Sequence, residues 1–108
     1  MNYSQPEYIR SDSRGTLTQV ITNTFSQLNV LNIKKDFTFG GHYHKNKREV
    51  FYLVSGLVKL NVNNMVSYFS AGSVMTIEPY DKHTLTALEE SVIVEALTKP
   101  YDREDIYE

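Results

Sequence analysis

The chain has 108 residues, of which 41% are hydrophobic and 22% are charged, a balance typical of one globular domain spanning residues 1–108. The net charge of −2 offers no basic surface to a nucleic acid or an anionic membrane, and the lack of cysteine excludes disulfides, zinc–thiolate sites and thiol catalysis. No apolar run reaches the ~20 residues that span a bilayer, and residues 1–6 lack a secretory pattern, so we expect a cytoplasmic protein.

Apolar and β-branched residues alternate with polar ones along most of the chain, a period-two pattern that predicts short β-strands. Residues 50–54 are apolar at every position, which predicts a central strand. Asn63 and Asn64 tolerate positive φ and predict a tight hairpin turn. In chain order we expect strands over residues 16–24, 27–33, 50–54, 58–62, 65–69, 73–77, 83–87 and 91–97.

These closely spaced strands have no convincing helix between them. They predict an all-β fold, either a barrel or a double-sheet sandwich. The tail, residues 99–108, is charged and rich in tyrosine. We expect it either to cap the barrel or to lie across a partner subunit.

All three histidines belong to this strand pattern. His42 and His44 are separated by one residue, so on a strand both imidazoles face the same side. Residues 45–48 form a polar turn, after which Glu49 begins the next strand. His83 lies on the apolar face of its own strand. We therefore predict that these four side chains converge inside the barrel.

Three imidazole nitrogens and one carboxylate oxygen form a ligand set for a divalent transition metal such as Zn, Ni, Mn or Fe. A six-coordinate ion would keep two positions open for water or substrate. A cation would also remove the cost of burying Glu49 without a partner. The simpler interpretation of one interior histidine is a hydrogen-bonded core residue. Here every histidine of the chain lies in the cluster, which favours a metal site.

The same residues resemble the first cupin motif, a glycine, H-x-H, three or four residues, a glutamate, six residues and a glycine. The matching positions are Gly41, His42, His44, Glu49 and Gly56. The second cupin motif is matched more loosely, by Gly72, Pro79 and His83, with Ala87 in place of its closing asparagine. The resemblance to the cupin superfamily implies a double-stranded β-helix, a jelly-roll barrel that commonly forms a homodimer.

Three segments resemble the sugar-nucleotide branch of the cupins. Residues 11–17 are similar to the D-x-R-G-x-[LF] opening of deoxysugar 3,5-epimerases and 3,4-ketoisomerases, and residues 100–105 to the ending of many ketoisomerases. Residues 40–51 resemble the zinc-binding C-terminal cupin domain of capsular-sugar reductases, which epimerises a keto-sugar nucleotide. The resemblance implies an isomerase or epimerase acting on a keto-deoxysugar nucleotide in polysaccharide biosynthesis. It also matches His42 to the epimerase base, a role open only if His42 is not a metal ligand.

Candidate substrate contacts are basic. Lys45, Lys47 and Arg48 cluster at the mouth of the inferred hairpin, where they would hold a diphosphate, and Arg14 lies in the first resembling segment. The simpler interpretation of each is a solvated turn. Phe39 stands where the related families carry an arginine. None of the eight tyrosines can be assigned as a catalytic residue.

Two other functions fit the same residues. A small Fe-dependent dioxygenase would use the same four ligands, and oxygen consumption would distinguish it. A non-catalytic cupin would bind a metal or a small ligand without turnover. With any of these functions, the apolar faces of residues 50–54 would suit a homodimer interface.

Overall fold

A computed structural model describes residues 2–4, 8–21 and 24–108. Within these ranges the chain forms strands and one short 3₁₀ turn, and no helix is long and apolar enough to cross a membrane. The elements are β1 (Asn2–Ser4), β2 (Tyr8–Asp12), β3 (Gly15–Gln19), β4 (Gln27–Ile33), β5 (Thr38–His42), β6 (Glu49–Ser55), β7 (Leu57–Val62), β8 (Met65–Ser70), β9 (Val74–Ile77), β10 (His83–Ala87), β11 (Ser91–Leu97) and η1 (Arg103–Asp105).

Two antiparallel sheets form the body of the molecule. The larger has the strand order β1-β9-β6-β11-β4, and the smaller has the order β5-β10-β7-β8. A separate hairpin pairs β2 with β3. Because neighbouring strands are often far apart in sequence, as β11 and β4 are, the connections run between the sheets as in a jelly roll. The prediction of an all-β fold is confirmed.

The core lies between the inward faces of the sheets and follows the predicted alternation. Val58, Leu60 and Val62 of β7 are buried, whereas Lys59 and Asn61 between them are half-buried. The same alternation puts His83 among buried apolar residues on β10. Strand β6 occupies the middle of the larger sheet, which confirms the prediction of a central strand over residues 50–54.

The N-terminal strands differ from the sequence prediction. The strand expected over residues 16–24 ends at Gln19, and residues 22–23 of it lie outside the described part of the chain. Its partner β2 was not predicted, because its residues do not alternate. The predicted turn at Asn63 and Asn64 is confirmed, with φ of 51° and 69°.

A glycine brings β5 against β10. Gly40 has a φ of 102°, and a Cβ at this position would lie 2.5 Å from the carbonyl oxygen of His83. Only a residue without a side chain allows this approach. The strand ends two residues later at His42. The spacing had predicted that His44 lies on the same strand, but it lies just beyond the end.

Candidate metal centre

The three histidines and Glu49 meet where the two sheets come together. His42 ends β5 and is the register partner of His83, which begins β10. Glu49 begins β6 in the opposite sheet, and His44 follows β5 directly. Residues from both sheets and from one connection therefore form the cluster.

The cluster is compact and mostly buried. Each of the four side chains offers one ligand atom, and these atoms all lie within 4.8 Å of one another. The exposed fractions of His44, Glu49 and His83 are 5%, 4% and 4%, and His42 is half-buried. The structure therefore brings together all four residues that the sequence nominated as metal ligands.

Backbone carbonyls fix the orientation of two imidazoles. His44 Nδ1 lies 2.6 Å from the carbonyl oxygen of Asp105, and His83 Nδ1 lies 2.9 Å from that of Asp81. A carbonyl only accepts hydrogen bonds, so each Nδ1 carries the proton and donates it. In the neutral form of each ring, Nε2 is therefore an unprotonated nitrogen with a free lone pair.

Both of these nitrogens face one carboxylate oxygen. The distance to Glu49 Oε1 is 2.7 Å from His44 Nε2 and 3.7 Å from His83 Nε2. The short contact lacks hydrogen-bond geometry, and Oε1 is a buried oxygen with no hydrogen-bond partner among the described residues. Lone pairs that face each other in a buried site repel unless a cation lies between them. The four residues therefore fit a divalent transition metal, and imidazole with carboxylate suits Zn, Ni, Mn or Fe.

Electrostatics shift the pKa values of two of the imidazoles in opposite directions. Burial lowers the pKa of His42, and the neighbouring His83 and His44 lower it further. Burial also acts to lower the pKa of His44, but the Glu49 carboxylate and the Asp105 carbonyl outweigh this and raise it. Of these two imidazoles, His42 is therefore the one that more readily stays neutral.

A second carboxyl group, that of Glu95 on β11, adjoins Glu49. Burial and the neighbouring Glu49 carboxylate raise the pKa of Glu95 to about 7. Burial opposes ionisation of Glu49 too, but His44 and then Glu95 outweigh it and lower the pKa of Glu49 to about 2. The pair therefore holds its proton on Glu95 and leaves Glu49 as the anion.

Two cavities meet at this centre, and both are lined by His42, Glu49 and Glu95. One, of about 190 Å³, is apolar, and its walls include Leu31, Ile33, Phe39, Phe51 and Leu85. The other, of about 200 Å³, is more polar, and its walls include Gln27, Asn29, His44, Lys47 and Tyr101. A ligand at the centre would thus meet one apolar and one polar chamber.

The family model described as the polysaccharide biosynthesis C-terminal domain matches residues 10–97. The chain belongs to this family. No curated protein sequence matches the chain. The match covers every residue of the candidate metal centre and the strands that carry them.

Solved structures resemble this family member over nearly its whole length. The TDP-quinovose 3,4-ketoisomerase WlaRB of Campylobacter jejuni has a TM-score of 0.87 at 15% identity, with 98% of this chain and 90% of that chain covered. The sugar 3,4-ketoisomerase QdtA of Thermoanaerobacterium thermosaccharolyticum, in complex with TDP, has a TM-score of 0.82 at 19% identity, covering 97% and 86%. The 3'-monoepimerase ChmJ of Streptomyces bikiniensis has a TM-score of 0.82 at 14% identity, covering 96% and 66%.

At these identities the likeness shows a shared fold. The predicted cupin jelly roll is confirmed, and so is the resemblance to sugar-nucleotide ketoisomerases and epimerases.

The structure separates the four basic residues nominated as substrate contacts. Lys47 is buried, with 5% of its surface exposed, and lines the polar chamber. Arg48 pairs with Glu78 at 3.1 Å. Lys45 Nζ lies 4.2 Å from the ring centre of Tyr107. Arg14 Nη2 lies 2.7 Å from Asp12 Oδ2 on the β2–β3 hairpin, and Arg14 lines neither chamber.

Sequence reasoning missed Glu95 and Asp105 at the candidate metal centre. Glu95 had a usable signal, because it shares the inward face of β11 with the buried Ile93 and Leu97. A carboxyl group on an apolar face is rarely placed there without a partner or a role. Asp105 had no such signal, since its contacts come from residues about sixty positions earlier.

Proposed function

We propose that this chain is a metal-dependent isomerase or epimerase that acts on a keto-deoxysugar nucleotide in polysaccharide biosynthesis. The observation that carries the proposal is Glu49 Oε1, a buried oxygen without a hydrogen-bond partner in the described chain, faced by two oriented imidazole nitrogens. The family and the ketoisomerase and epimerase structures it resembles support the substrate class.

The proposed chemistry is proton transfer at carbon. A C–H bond next to a sugar ketone becomes acidic when negative charge on the ketone oxygen is stabilised, and a bound divalent metal would supply that stabilisation. A base takes the proton from carbon. In an isomerase a proton is returned to the neighbouring carbon, while the hydroxyl proton of the first carbon passes to the former ketone oxygen. In an epimerase a second group delivers a proton to the opposite face of the same carbon. No redox partner is needed, because the electrons stay within the sugar.

His42 is the proposed base if it is not the fourth ligand. It lines both chambers, and neither ring nitrogen has a hydrogen-bond partner among the described residues, unlike the Nδ1 atoms of His44 and His83. Burial and the adjacent histidines lower its pKa, which leaves it neutral and able to accept a proton. In that case His44, Glu49 and His83 would hold the ion alone, as three protein ligands do in many catalytic metal sites.

Lys47 is the strongest of the proposed substrate contacts. No described residue forms an ion pair or hydrogen bond with its ammonium group, and Nζ lies 5.9 Å from the ring centre of Tyr101. A positive charge on a side chain that is mostly buried favours a nearby anion. We therefore assign it to an anionic oxygen of the substrate in the polar chamber. Lys45, Arg48 and Arg14 stay proposed contacts that would first have to leave their present partners.

Proton exchange in D₂O tests the proposal. The substrate would be TDP-4-keto-6-deoxyglucose, which is bound in a related ketoisomerase structure. We expect NMR to show loss of the C–H signal beside the ketone with metal-loaded protein, and no loss after chelation or with His44→Ala. Protein that binds stoichiometric metal but never exchanges the proton would refute the isomerase. Oxygen consumption with Fe would then favour the dioxygenase, and tight binding without any turnover would favour the non-catalytic cupin.

We also propose a homodimer in the cytoplasm. The outward positions of β4, β6 and β11 carry no charged residue, and Leu28, Val30 and Val54 on them are 54%, 59% and 48% exposed. The register puts Val94 between Val30 and Tyr52, so the apolar surface is continuous across three strands. Val20 and Ile21 of the same chain border part of this face. The exposed remainder is rarely left to water, and a second copy of the same face would cover it.

A further inference from the structure

The segment of residues 101–107 crosses the side of the metal centre on which the polar chamber lies. Tyr43, between two of the histidines, exchanges backbone hydrogen bonds with Tyr107, at 2.9 Å for Tyr43 N to Tyr107 O and 3.0 Å for the reverse pair. Their rings stack with centroids 5.4 Å apart. Tyr101 and Ile106 line the polar chamber. The segment is therefore anchored beside the ligands and forms one wall of the chamber.

Asp105 is the buried centre of this segment, with 4% of its surface exposed. Its carboxylate accepts hydrogen bonds from Lys45 N at 2.9 Å, Asn46 N at 3.2 Å and Asn46 Nδ2 at 3.3 Å. A carboxylate buried with three donors is stabilised by them and holds them in turn. The side chain of Asp105 thus fixes the two residues that follow His44.

The main chain of Asp105 contacts His44 itself. The carbonyl oxygen accepts the hydrogen bond from His44 Nδ1 at 2.6 Å. Asp105 therefore holds His44 at two points, through the ring and through the backbone that follows it. Hydrogen bonds to the second nitrogen of a ligating imidazole fix its tautomer and orientation, and their loss typically weakens metal binding roughly 10–100-fold.

We propose that the segment of residues 101–107 is part of the metal site and that Asp105 is its positioning residue, holding His44 Nε2 toward the ion. This inference rests on the metal binding in the proposed function. Asp105 touches neither the ion nor the substrate; it acts through His44. Of the two positions expected for the tail, residues 101–107 take the first, because they cap the barrel of their own chain.

Metal affinity tests the inference directly. Asp105→Ala, Asp105→Asn and the control Glu104→Ala would be prepared in the full chain, Glu104 being exposed in the same turn. Zn²⁺ dissociation constants would be measured by competition with a chromophoric chelator. Alanine keeps the main-chain carbonyl that binds His44 Nδ1 but removes the carboxylate that holds residues 45 and 46. We therefore expect Asp105→Ala to weaken binding by about 10-fold, the lower end of the effect of losing an orienting partner outright. Asp105→Asn should weaken it less, because the amide oxygen keeps an acceptor for the backbone donors, and Glu104→Ala should match the wild type.

A second readout needs no metal. In the metal-free wild type, at a pH above the raised pKa of His44, ¹⁵N NMR should show His44 protonated on Nδ1 and unprotonated on Nε2. Asp105→Ala keeps the carbonyl, but without the carboxylate that anchors the segment this carbonyl should shift away from His44 Nδ1. The second tautomer of His44 should then become populated, while His83 stays unchanged, since Asp81 holds that ring. A general loss of structure would change the tautomers of His44 and His83 alike, rather than that of His44 alone.

The outcomes separate the inference from the function it rests on. Wild-type protein that binds no metal would remove the metal from the proposed function, and the tautomer of His44 would still decide the role of Asp105. Wild-type affinity together with an unchanged His44 tautomer in Asp105→Ala would overturn the inference alone. Should Asp105→Ala fail to fold, the same two measurements on Asp105→Asn decide, with an unchanged affinity and tautomer overturning the inference.

Discussion

His42 and His83 face each other across the β5–β10 pair, with ring centroids 4.8 Å apart. His83 donates its Nδ1 proton to Asp81, whereas His42 has no such partner among the described residues. An oriented imidazole is the better ligand. Removing one ring or the other should therefore affect metal binding to different extents.

We expect His83→Ala to weaken metal binding more than His42→Ala does. The loss in His83→Ala should exceed the roughly 10–100-fold typical of removing only an orienting partner. Metal content by elemental analysis and chelator competition, on protein without a histidine tag, would measure both. Metal retained in His42→Ala with proton exchange abolished would identify His42 as the base. Stronger loss in His42→Ala than in His83→Ala would contradict the ordering.

The stability of the metal-free protein should depend on Glu95. Because burial and Glu49 raise the folded pKa of Glu95 to about 7, its stabilising contribution is complete below its unfolded pKa of roughly 4.3 and is lost as pH rises through about 7. The glutamine of Glu95→Gln stays neutral at every pH. The free energy of unfolding of this variant, relative to that of the wild type, should therefore increase as the pH rises over that range. Urea denaturation with excess chelator at pH 4, 6 and 8 measures this. Glu90→Gln, at an exposed position, is the control, and a pH-independent gain would contradict the prediction.

Gly40→Ala should destabilise the fold and disturb the metal centre. The new Cβ would lie 2.5 Å from the His83 carbonyl oxygen, in addition to the strain of a φ of 102°. We expect a loss of more than about 3 kcal/mol in the free energy of unfolding. Gly72→Ala is the matched control: its φ is 94°, and no described atom lies within 4 Å of its Cβ. It should lose only about 1–2 kcal/mol, from the φ alone. Equal losses would show that β5 moves away from β10 easily.

Val30→Asp should break the proposed homodimer. The new carboxylate would lie on the edge strand β4, within the apolar face of β4, β6 and β11, where pairing with a second copy would bury it without a counter-charge. Size-exclusion chromatography with light scattering should then show a monomer. Val66→Asp, on β8 of the other sheet and 49% exposed in the wild type, should stay dimeric. A monomeric wild type would reject the interface.

Lys47→Met should weaken substrate handling without unfolding the chain. Methionine fills the space of the buried stem but removes the positive charge from the polar chamber. We expect kcat/KM for proton exchange to fall by about 10-fold or more, as when a charged hydrogen bond of roughly 1.5–3 kcal/mol is lost. Lys35→Met, at an exposed position, should match the wild type. Unchanged kinetics would remove Lys47 from the substrate site.

Features that depend on a repeating local pattern of residues could mostly be predicted from the sequence. Alternation identified the strands from β4 onward except β5, and the spacing of His42, His44 and Glu49 identified the cluster before any contact was known. It could not predict that Lys47, within a polar run, turns inward, because burial there depends on the chamber wall supplied by Tyr101. That residues 1–108 form one domain stays a prediction.

Long-range partners were beyond local patterns. The partner of Asp105 lies about sixty residues earlier, and no periodicity connects the two positions. The pairing of Glu95 with Glu49 likewise depends on β11 lying beside β6 in the larger sheet. Local spacing predicts which face a side chain occupies, whereas the order of strands decides what it meets there.

The separation of His44 and Asp105 in the sequence affects when the site can form during synthesis of the chain. A chain growing on the ribosome exposes His42, His44 and Glu49 early, and His83 and then Asp105 appear near the completion of the part seen here. Until then His44 has no carbonyl to hold its ring, and β11 has not yet joined β6 to the edge strand β4. If the site binds a metal as proposed, its residues are present on the nascent chain before they are oriented, and selective loading would have to wait until synthesis has passed Asp105.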